Sequence, residues 1–347
     1  MIIKDLKYCF AYESSSIKSC FINLEKSTKQ IIFVVNKNKK LLGSLTDGDL
    51  RRAILNNYTI KDKIKNIYNK YPIKCKPSTS EIEAENIMLL NKINHLPIID
   101  NREKIIGFHS INSNIENKNN TLIDFVIMAG GKGKRLKPFT NRCPKPMLKV
   151  YGKPILEIII NNAKKQGFKN FLISINYLGK IITNYFKNGK KFGVKIKYIK
   201  ESKPLGTIGA LGGYNKSLKS KNIILSNGDV ITDINFKSLI KFHESNKSDA
   251  TMAVYPYKLE NPYGEVVTKD AKIVEISEKP VSVSYINAGI YIFKKNMLRY
   301  LKKNQKMDSV SFFKLLKKKN KKTLAFAVHE SWADIGLKQD YLNYKKK

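Results

Sequence analysis

A glycine-rich turn carries the most distinctive chemistry of this sequence. The run Gly130-Gly131-Lys132-Gly133-Lys134-Arg135-Leu136 places three glycines and three cations directly after an apolar segment. Glycines let backbone N–H groups close around an anion, and Lys and Arg side chains add positive charge. Neither of two common phosphate motifs is present, because the run lacks G-x-x-x-x-G-K-[ST] and Leu136 stands where a dinucleotide fingerprint needs its third glycine. The turn therefore indicates a phosphate site of another kind, with an ordinary basic turn as the alternative.

The elements around this turn alternate between strands and helices. The segment DFVIMAGG, residues 124–131, is predicted to be a buried strand that ends in the glycines. Further strands are predicted at 171–176, 195–199, 222–229 and 250–256, and helices at 154–167, 178–186 and 236–244. We expect Pro154 in the first turn of its helix, which should end at Gly167. This alternation predicts an α/β fold with a doubly wound, mostly parallel sheet, and shorter strands after residue 262 predict an antiparallel substrate-binding part.

The first 115 or so residues contain a twofold repeat of strand, turn and strand. In the first copy the strands are predicted at 31–35 and 41–45, and a helix follows at TDGDLRRAIL. The second copy has strands at 96–100 and 105–110, and the capping-box sequence Ser80-Glu81-Ile82-Glu83 predicts a helix through Leu90. The Asn-rich run 112–122 is the expected linker. We therefore predict an α+β domain pair at 1–118 and a catalytic domain at 123–347.

Composition excludes several classes of protein. The net charge is +37, but the basic residues are nearly all lysines spread along the chain, with only six arginines. Arginine is the residue of bidentate phosphate and guanine recognition, so this bias does not predict a specific nucleic-acid surface. The four scattered cysteines, without a C-x-x-C pair, predict neither a disulfide framework nor a structural zinc. No apolar run approaches ~20 residues and no signal peptide is recognised, so we expect a cytoplasmic protein without a membrane partner.

Residues 128–148, MAGGKGKRLKPFTNRCPKPML, resemble the signature of the sugar nucleotidyltransferase family, GGxGTRLxPxT followed by PKPM. Further segments match in the family's order at 204–211, 226–230, 261–266, 277–280, 287–293 and 332–336. Two residues depart from the pattern: Lys134 replaces Thr, and Ile208 replaces a small residue. The resemblance implies transfer of a nucleoside monophosphate from a nucleoside triphosphate to a sugar 1-phosphate, with release of pyrophosphate. Such a reaction needs positioning and neutralisation of two anions rather than a protein nucleophile.

The same resemblance implies the roles of individual residues. Asp229 and Asp334 would hold Mg²⁺, a hard cation that carboxylates suit. Arg135 would grip the leaving pyrophosphate, and Lys145, stiffened between two prolines, would contact the α-phosphate.

The remaining assignments concern the two substrates. Lys279 would take the sugar phosphate and Glu278 a sugar hydroxyl, while Gly264 and Asn287 would line the sugar site. The nucleotide would be bound by Gly130, Gly131, Gly133, Gly206 and Thr207.

The front segment resembles a CBS domain pair, in its sequence GSLTDGDLRRAIL and in its repeated pattern. Such pairs commonly bind nucleotides, and Thr46-x-x-Asp49 matches the family's ribose element. The second copy has Ser110 and Ser113 without an acid, so at most one nucleotide site is expected, and the neighbouring Arg51 and Arg52 could meet its phosphates. A dimerisation module without a ligand is the alternative.

The order of the two domains resembles a group of bacterial sugar guanylyltransferases, which includes the glucosamine-1-phosphate enzymes of legionaminic acid synthesis. This implies GTP and glucosamine 1-phosphate as substrates, with mannose 1-phosphate or another pair as the alternative. We also expect a homo-oligomer and a regulatory nucleotide at the CBS pair. Two competing hypotheses are a catalytically inert nucleotide sensor and a nucleic-acid binder. An inert sensor would be expected to have lost some of the residues that match the family's motifs. A nucleic-acid binder would be expected to carry a recognisable nucleic-acid-binding motif, which this sequence lacks.

Overall fold

The computed structural model describes residues 2–27, 29–91, 93–110, 123–214 and 218–345. The chain divides into two compact units, 1–117 and 118–347, and each is described by itself. The linker predicted at 112–122 lies outside the described residues.

The front unit consists of two three-stranded sheets with their helices. Its elements are β1 (Ile2–Ile3), β2 (Phe10–Ala11), α1 (Ile17–Ser27), β3 (Ile31–Val35), β4 (Leu41–Thr46), α2 (Asp47–Leu55), α3 (Glu81–Leu90), β5 (His95–Ile99) and β6 (Ile105–Ser110). The sheet orders are β2-β3-β4 and β1-β6-β5. The antiparallel pairs β3–β4 and β5–β6 carry an irregularity at matching places, Val34/Val35 and Ile98/Ile99. The predicted twofold repeat is thus confirmed, and the strand pairs of the two copies share the same pairing pattern.

Side-chain caps fix where two helices of this unit begin. The Thr46 hydroxyl accepts a hydrogen bond from the Asp49 amide, while the Asp49 carboxylate accepts one from the Thr46 amide. Ser80 Oγ accepts from the Glu83 amide at 3.2 Å. Both contacts satisfy amides that a helix start leaves without an acceptor, so the predicted helix starts at Asp47 and Glu81 are confirmed.

The second unit is larger and contains the glycine-rich turn. Its strands are β7 (Asp124–Met128), β8 (Lys149–Val150), β9 (Lys153–Pro154), β10 (Asn170–Ile175), β11 (Lys195–Lys200), β12 (Asn222–Asn227), β13 (Val230–Thr232), β14 (Ala250–Glu260), β15 (Glu265–Lys269), β16 (Lys272–Ser277), β17 (Val281–Lys294), β18 (Thr323–Ala327) and β19 (Trp332–Asp334). Its helices are α4 (Ile155–Lys165), α5 (Gly179–Phe186), α6 (Phe236–Ser245), α7 (Ser309–Lys318) and α8 (Lys338–Lys345).

A seven-stranded mixed sheet forms the centre of this unit, in the order β11-β10-β7-β12-β17-β14-β18. Only β17 runs against its neighbours, so the predicted mostly parallel α/β fold is confirmed. Apolar side chains pack on both faces, as expected of strands that read as continuous apolar runs. On β7, Phe125 and Ile127 join the core cluster that includes α4 and α6, whereas Val126 joins the one that includes α7.

The strand order places the site. The chain steps outward from β7 to β10 and β11 and then returns to β12 on the other side of β7, so the order reverses between β7 and β12. Ligands of open α/β sheets bind at the carboxyl ends of the strands at such a point. Met128 and Asn227, the last residues of the two strands, are partners in the register. The glycine-rich turn and the loop that carries Asp229 therefore start side by side.

Some details differ from the sequence-based expectations. Pro154 caps α4 instead of lying in its first turn, and the helix ends at Lys165, two residues before Gly167 with its φ of +98°. Helix α7 and strand β18 were not predicted, although Asp308 caps α7 by accepting from the Ser311 amide at 2.7 Å. The four cysteines are free thiols. Within the described ranges, no helix has the length and apolar character that a membrane span requires.

Candidate functional site

The glycine-rich turn presents a row of open backbone donors. The Ala129 amide donates to Ser174 O at 2.8 Å and the Leu136 amide to Gly133 O at 2.9 Å, but the six amides of residues 130–135 find no acceptor in the part of the chain that is described. Successive free N–H groups form a concavity that suits an anion. At Gly131 a Cβ would have no atom within 4 Å, so the turn faces open space there. Gly133 has a φ of +59°, which favours glycine.

One wall of this turn is a carboxylate that sequence analysis did not identify. A Cβ on Gly130 would lie 2.7 Å from Glu201 Oε1, so only glycine allows this approach. Glu201 accepts hydrogen bonds from Ser174 Oγ at 2.6 Å and from the Leu205 amide at 2.9 Å. These contacts fix the carboxylate beside the turn. Its sequence signal is weak, since it is one acid that follows a lysine-rich strand.

The structure brings three of the predicted site residues into contact. The Lys145 ammonium lies 2.5 Å from Asp229 Oδ2 and 3.7 Å from Asp334 Oδ1. The two aspartates meet because β13 pairs with β19, which sets Val230 opposite Asp334, and because the Ile335 amide donates to Asp229 O at 3.2 Å. This long-range pairing unites a loop after β12 with the last strand of the chain.

Lys145 reaches the two carboxylates from a short, buried turn. It begins a single 3-10 turn, Lys145–Met147, in which the Met147 amide donates to Pro144 O at 2.8 Å. Pro144 precedes the turn and Pro146 lies inside it, so the backbone has little freedom, as the sequence predicted. Only 9% of Lys145 is exposed, so its aliphatic chain is buried and its ammonium emerges at the aspartates.

The two carboxylates of this centre and the nearby cations act on the pKa of Asp334 in opposite directions. Burial, helped by the Asp229 charge, raises the pKa of Asp334, while Lys145 and Arg135 act in the opposite direction. Arg135 itself is exposed and forms no ion pair with any residue that the structure describes. The centre therefore has one cation bound between its carboxylates and a second one free to meet an anionic ligand.

The aspartate pair fits a divalent cation. Asp229 Oδ1 and Asp334 Oδ1 are both buried, and neither has a hydrogen-bond partner among the residues that the structure describes. Buried carboxylate oxygens left in this state suit a hard cation such as Mg²⁺. The described residues contain no cluster of three or more His, Cys, Asp or Glu side chains at metal-binding distance. Two carboxylates completed by water and substrate phosphates are the usual protein contribution to a Mg²⁺ site.

Two of the predicted sugar-site residues lie together at the base of a hairpin. Strands β15 and β16 pair from Glu265 with Ser277, which brings Gly264 beside Glu278. A Cβ on Gly264 would lie 3.2 Å from Glu278 Oε2. Lys279 follows in the left-handed region with a φ of 45°. Among the described residues, no hydrogen bond or ion pair joins this group to the aspartate pair.

Asn287, the fourth predicted sugar-site residue, holds a local irregularity of the sheet. Strand β17 pairs Asn287 with Val254 and Tyr291 with Met252, so it has extra residues here and bulges. Asn287 Oδ1 accepts from the Gly289 amide at 2.9 Å, and Nδ2 donates to the Tyr291 hydroxyl at 2.8 Å. Its amide is thus engaged in positioning the bulge.

The predicted nucleotide loop at Gly206 and Thr207 is attached to the start of α7. Gly206 has a φ of +81°, and a Cβ there would lie 2.5 Å from Met307 O. Thr207 Oγ1 accepts from the Ser309 amide at 2.7 Å. Ile208, the departure from the family pattern, is fully buried in the core cluster with α7. The larger side chain therefore anchors this loop.

The front unit uses its predicted ribose residues locally. The Thr46 hydroxyl donates to Asp49 Oδ2 at 2.7 Å, and Asp49 also pairs with Arg52. The expectation that both arginines could meet phosphate was wrong for Arg51. That side chain is 2% exposed, because it is bound to Asp47 at 2.7 Å and lies over the Phe21 ring.

Comparison with known proteins gives a consistent result. Residues 125–347 match the family model described as Nucleotidyl transferase, and residues 3–56 and 64–108 match that of the CBS domain. The D-glycero-alpha-D-manno-heptose 1-phosphate guanylyltransferase of Aneurinibacillus thermoaerophilus is 32% identical over 65% of this chain and 97% of its own length. The mannose-1-phosphate guanylyltransferase of Mycobacterium tuberculosis is 28% identical over 63% of each protein.

Solved structures of similar proteins also match the second unit of this chain. HddC from Yersinia pseudotuberculosis matches 65% of this chain and 98% of its own, with a TM-score of 0.52 and 28% identity. The same protein complexed with GMP-PN matches with a TM-score of 0.51 and 27% identity.

Proposed function

Because the chain belongs to the nucleotidyl transferase family and is an enzyme of that type, we propose that it transfers GMP from GTP to a sugar 1-phosphate. The products are a GDP-sugar and pyrophosphate. The observation that carries this proposal is the set of six free amides at 130–135, in the same unit as the Lys145–Asp229–Asp334 centre. The free amides of the turn suit the negative charge of a polyphosphate, and the Lys145–Asp229–Asp334 centre suits the phosphate whose phosphorus reacts.

The chain's own groups can perform this transfer by position and charge. A phosphate oxygen of the sugar attacks the α-phosphorus, a new P–O bond forms, and the bond to the β-phosphate breaks as pyrophosphate leaves with its electron pair. The amides of the turn and the Arg135 guanidinium would hold the leaving phosphates, and Lys145 would neutralise the α-phosphate. No protein nucleophile is required, because the attacking phosphate is already ionised.

Asp229 and Asp334 would hold Mg²⁺, which when bound neutralises phosphate charge. One buried oxygen of each aspartate has no hydrogen bond from a described residue, which supports this assignment. The sequence-based roles of Gly264, Glu278, Lys279 and Asn287 at the sugar, and of Gly206 and Thr207 at the base, remain part of the proposal.

Two observations support guanine as the base. The relatives matched over nearly their full length, in Aneurinibacillus and Campylobacter, are named guanylyltransferases. In addition, the Glu201 carboxylate lies against Gly130 and can accept more hydrogen bonds than the two it receives. Guanine offers two adjacent N–H donors on its pairing edge, whereas uracil and thymine offer one N–H between two carbonyls. A carboxylate acceptor therefore favours guanine.

We propose a manno-configured sugar 1-phosphate as the preferred sugar substrate and place glucosamine 1-phosphate second. Glucosamine 1-phosphate, and with it a role in legionaminic acid synthesis, was the expectation from the order of the two domains. The ranking follows the heptose and mannose substrates in the names of the relatives. The test is a panel of GTP, ATP, UTP and dTTP against mannose, manno-heptose, glucosamine and glucose 1-phosphates, with pyrophosphate release as the readout. GTP should give the highest turnover with one of the first three sugars. Higher turnover with UTP or dTTP would refute the guanylyl proposal.

The front unit is proposed to regulate or assemble the enzyme. It matches the CBS model in both repeats, and Thr46 and Asp49 are the expected ribose contacts. Binding of ATP, AMP or GMP to the full chain, measured by calorimetry together with its effect on turnover, separates a regulatory role from an assembling one. The homo-oligomer and the cytoplasmic location are likewise predictions. The inert-sensor hypothesis is favoured by no observation, since every matched catalytic residue is present.

A further inference from the structure

Trp332, the only tryptophan of the chain, connects two parts of the candidate site. It lies on β19, two residues before Asp334. Its indole Nε1 donates a hydrogen bond to Ala288 O at 2.9 Å, and Ala288 lies between Asn287 and Gly289 in the bulge of β17. One side chain thus joins the strand that carries an aspartate of the centre to the bulge that carries a proposed sugar contact. Sequence analysis included Trp332 in a matched segment but assigned it no role.

The bulge leaves the Ala288 carbonyl in need of a donor from outside the paired strands. Between Asn287 and Tyr291, three residues of β17 stand opposite the single residue Ala253 of β14. Ala288 is the first of the three and has no register partner on β14 or on β12. It is fully buried, where an unpaired carbonyl would be costly. The indole N–H of Trp332 therefore satisfies a carbonyl that the bulge releases from the sheet.

The indole is itself held from two sides. Its backbone lies in β19, where the register pairs Trp332 with Thr232 of β13 and, two residues on, Asp334 with Val230. Its ring stacks on Tyr255 of β14, with the ring centroids 5.0 Å apart and the planes at 26°. Stacking of this kind stabilises two aromatic rings beyond the area that they bury. The indole is therefore a fixed support for the bulge.

We propose that Trp332 is a positioning residue, whose N–H holds the bulge of β17, and with it Asn287, in place relative to Asp334. This rests on the proposed function, in which Asn287 contacts the sugar and Asp334 the metal ion. The sugar phosphate must approach the α-phosphorus to within about 3–3.5 Å, and a misplacement of about 1 Å can cost roughly 100-fold in rate. A rigid ring that joins the sugar site to the metal aspartate meets that requirement.

Replacement of the indole N–H alone tests this proposal. Because the chain has a single tryptophan, biosynthetic incorporation of 3-benzothienylalanine, which has sulfur in place of N–H, changes no other residue. With the sugar 1-phosphate of highest turnover in the panel, kcat/KM for that sugar should fall by roughly 5- to 100-fold. KM for GTP should stay within about twofold, because the phosphate turn does not depend on the bulge.

Trp332→Phe is a second variant, which keeps an aromatic ring beside Tyr255 and lacks the donor. It should show the same difference between the two substrates. A merely structural role would lower thermal stability without that difference. Unchanged kinetics in the sulfur-containing protein, or equal increases in KM for both substrates, would overturn the proposal.

A double-mutant cycle shows whether Trp332 acts through the bulge. In Asn287→Ala, the further loss caused by Trp332→Phe should be at least about fivefold smaller than in wild type, because the group that is positioned is gone. Tyr198→Phe is the matched control, since it removes another side-chain donor to a backbone carbonyl, Lys187 O at 2.7 Å, and should change neither KM. If wild type turns over no sugar 1-phosphate, the proposed function fails; if it does and the cycle is additive, only this inference fails.

Discussion

The Lys145 ammonium donates a 2.5 Å hydrogen bond to Asp229 Oδ2, while Oδ1 of the same carboxylate is buried and has no hydrogen bond from any described residue. Without a ligand, the lysine is therefore the cation that neutralises the aspartates. The proposed mechanism needs the same ammonium at the α-phosphate. Lys145 and a divalent cation should then compete for Asp229, and the competition ends when the nucleotide gives the lysine a new partner.

Removal of Lys145 should therefore strengthen binding of a divalent cation to the free enzyme while it lowers turnover. In Lys145→Met, at pH 8, we expect Mn²⁺ to bind roughly tenfold more tightly, since one charge-assisted hydrogen bond no longer competes for the carboxylate. Electron paramagnetic resonance of free Mn²⁺ measures this without turnover.

Two further variants serve as controls for the Mn²⁺ measurement. Lys149→Met removes an exposed lysine on β8 and should leave Mn²⁺ affinity unchanged. Asp229→Asn should weaken Mn²⁺ binding and abolish most activity without unfolding the protein. If Lys145→Met binds Mn²⁺ no better than wild type, the competition does not exist.

The Glu201 carboxylate should control the choice of base. Glu201→Gln keeps the shape of the side chain but removes its negative charge and replaces one acceptor oxygen with an N–H donor. We expect kcat/KM for GTP to fall by roughly 10- to 100-fold, with a smaller loss for UTP. The ratio of the two constants, measured with one sugar 1-phosphate, is the readout. Glu157→Gln, in α4, serves as the control on a half-buried acid that also accepts a hydrogen bond, from the Tyr185 hydroxyl. An unchanged GTP/UTP ratio would exclude Glu201 from base selection.

His243 should make the catalytic unit less stable in acid. Burial, with a contribution from Lys294, lowers its pKa to about 4 from 6.5, and Nδ1 lies 2.8 Å from Thr251 Oγ1. Below about pH 6.5 the unfolded chain takes up a proton that the folded state does not accept until about pH 4. The free energy of unfolding should thus fall by about 2 kcal/mol between pH 7 and pH 5 from this residue.

Chemical unfolding of His243→Gln at the two pH values isolates this contribution. Glutamine can keep a hydrogen bond to Thr251 but does not titrate, so the variant should lose about 2 kcal/mol less than wild type over the same interval. Equal losses in the two proteins would show that His243 is not the group responsible.

His109 should be replaceable by leucine with a gain in stability. Both ring nitrogens are buried without a hydrogen-bond partner among the described residues, and burial lowers the pKa of the ring. The register pairs Leu96 with His109 in the second repeat and Ile32 with Leu45 in the first, so His109 occupies the place of Leu45. His109→Leu removes the unsatisfied nitrogens, and we expect about 1–3 kcal/mol of added stability. The mirror change, Leu45→His, should destabilise the unit; a less stable His109→Leu protein would contradict this reading of the repeat.

Sequence patterns predicted the elements whose signals are local. The apolar run of β7, the helix start at TDGDLRRAIL, the cap at Ser80 and the proline-flanked Lys145 could be identified from neighbouring residues alone. Sequence patterns could not predict the contacts between residues that are distant in the chain. The pairing of β13 with β19 brings Asp334 to Asp229, and the fold brings Glu201 to Gly130. Arg51 was misread for the same reason, since its burial depends on Phe21 and on packing of α1 against α2.

Under the proposed function, this protein transfers the α-phosphoryl group of GTP, together with its guanosine, to a sugar 1-phosphate. Incubation with GTP labelled with ³²P at the α position, Mg²⁺ and the best sugar 1-phosphate tests it directly, because the two ends of the triphosphate then have separate fates. We expect the label to enter a GDP-sugar, and a parallel reaction with γ-labelled GTP to give labelled pyrophosphate. Labelled GDP from the first reaction, with labelled orthophosphate or phosphorylated sugar from the second, would contradict it.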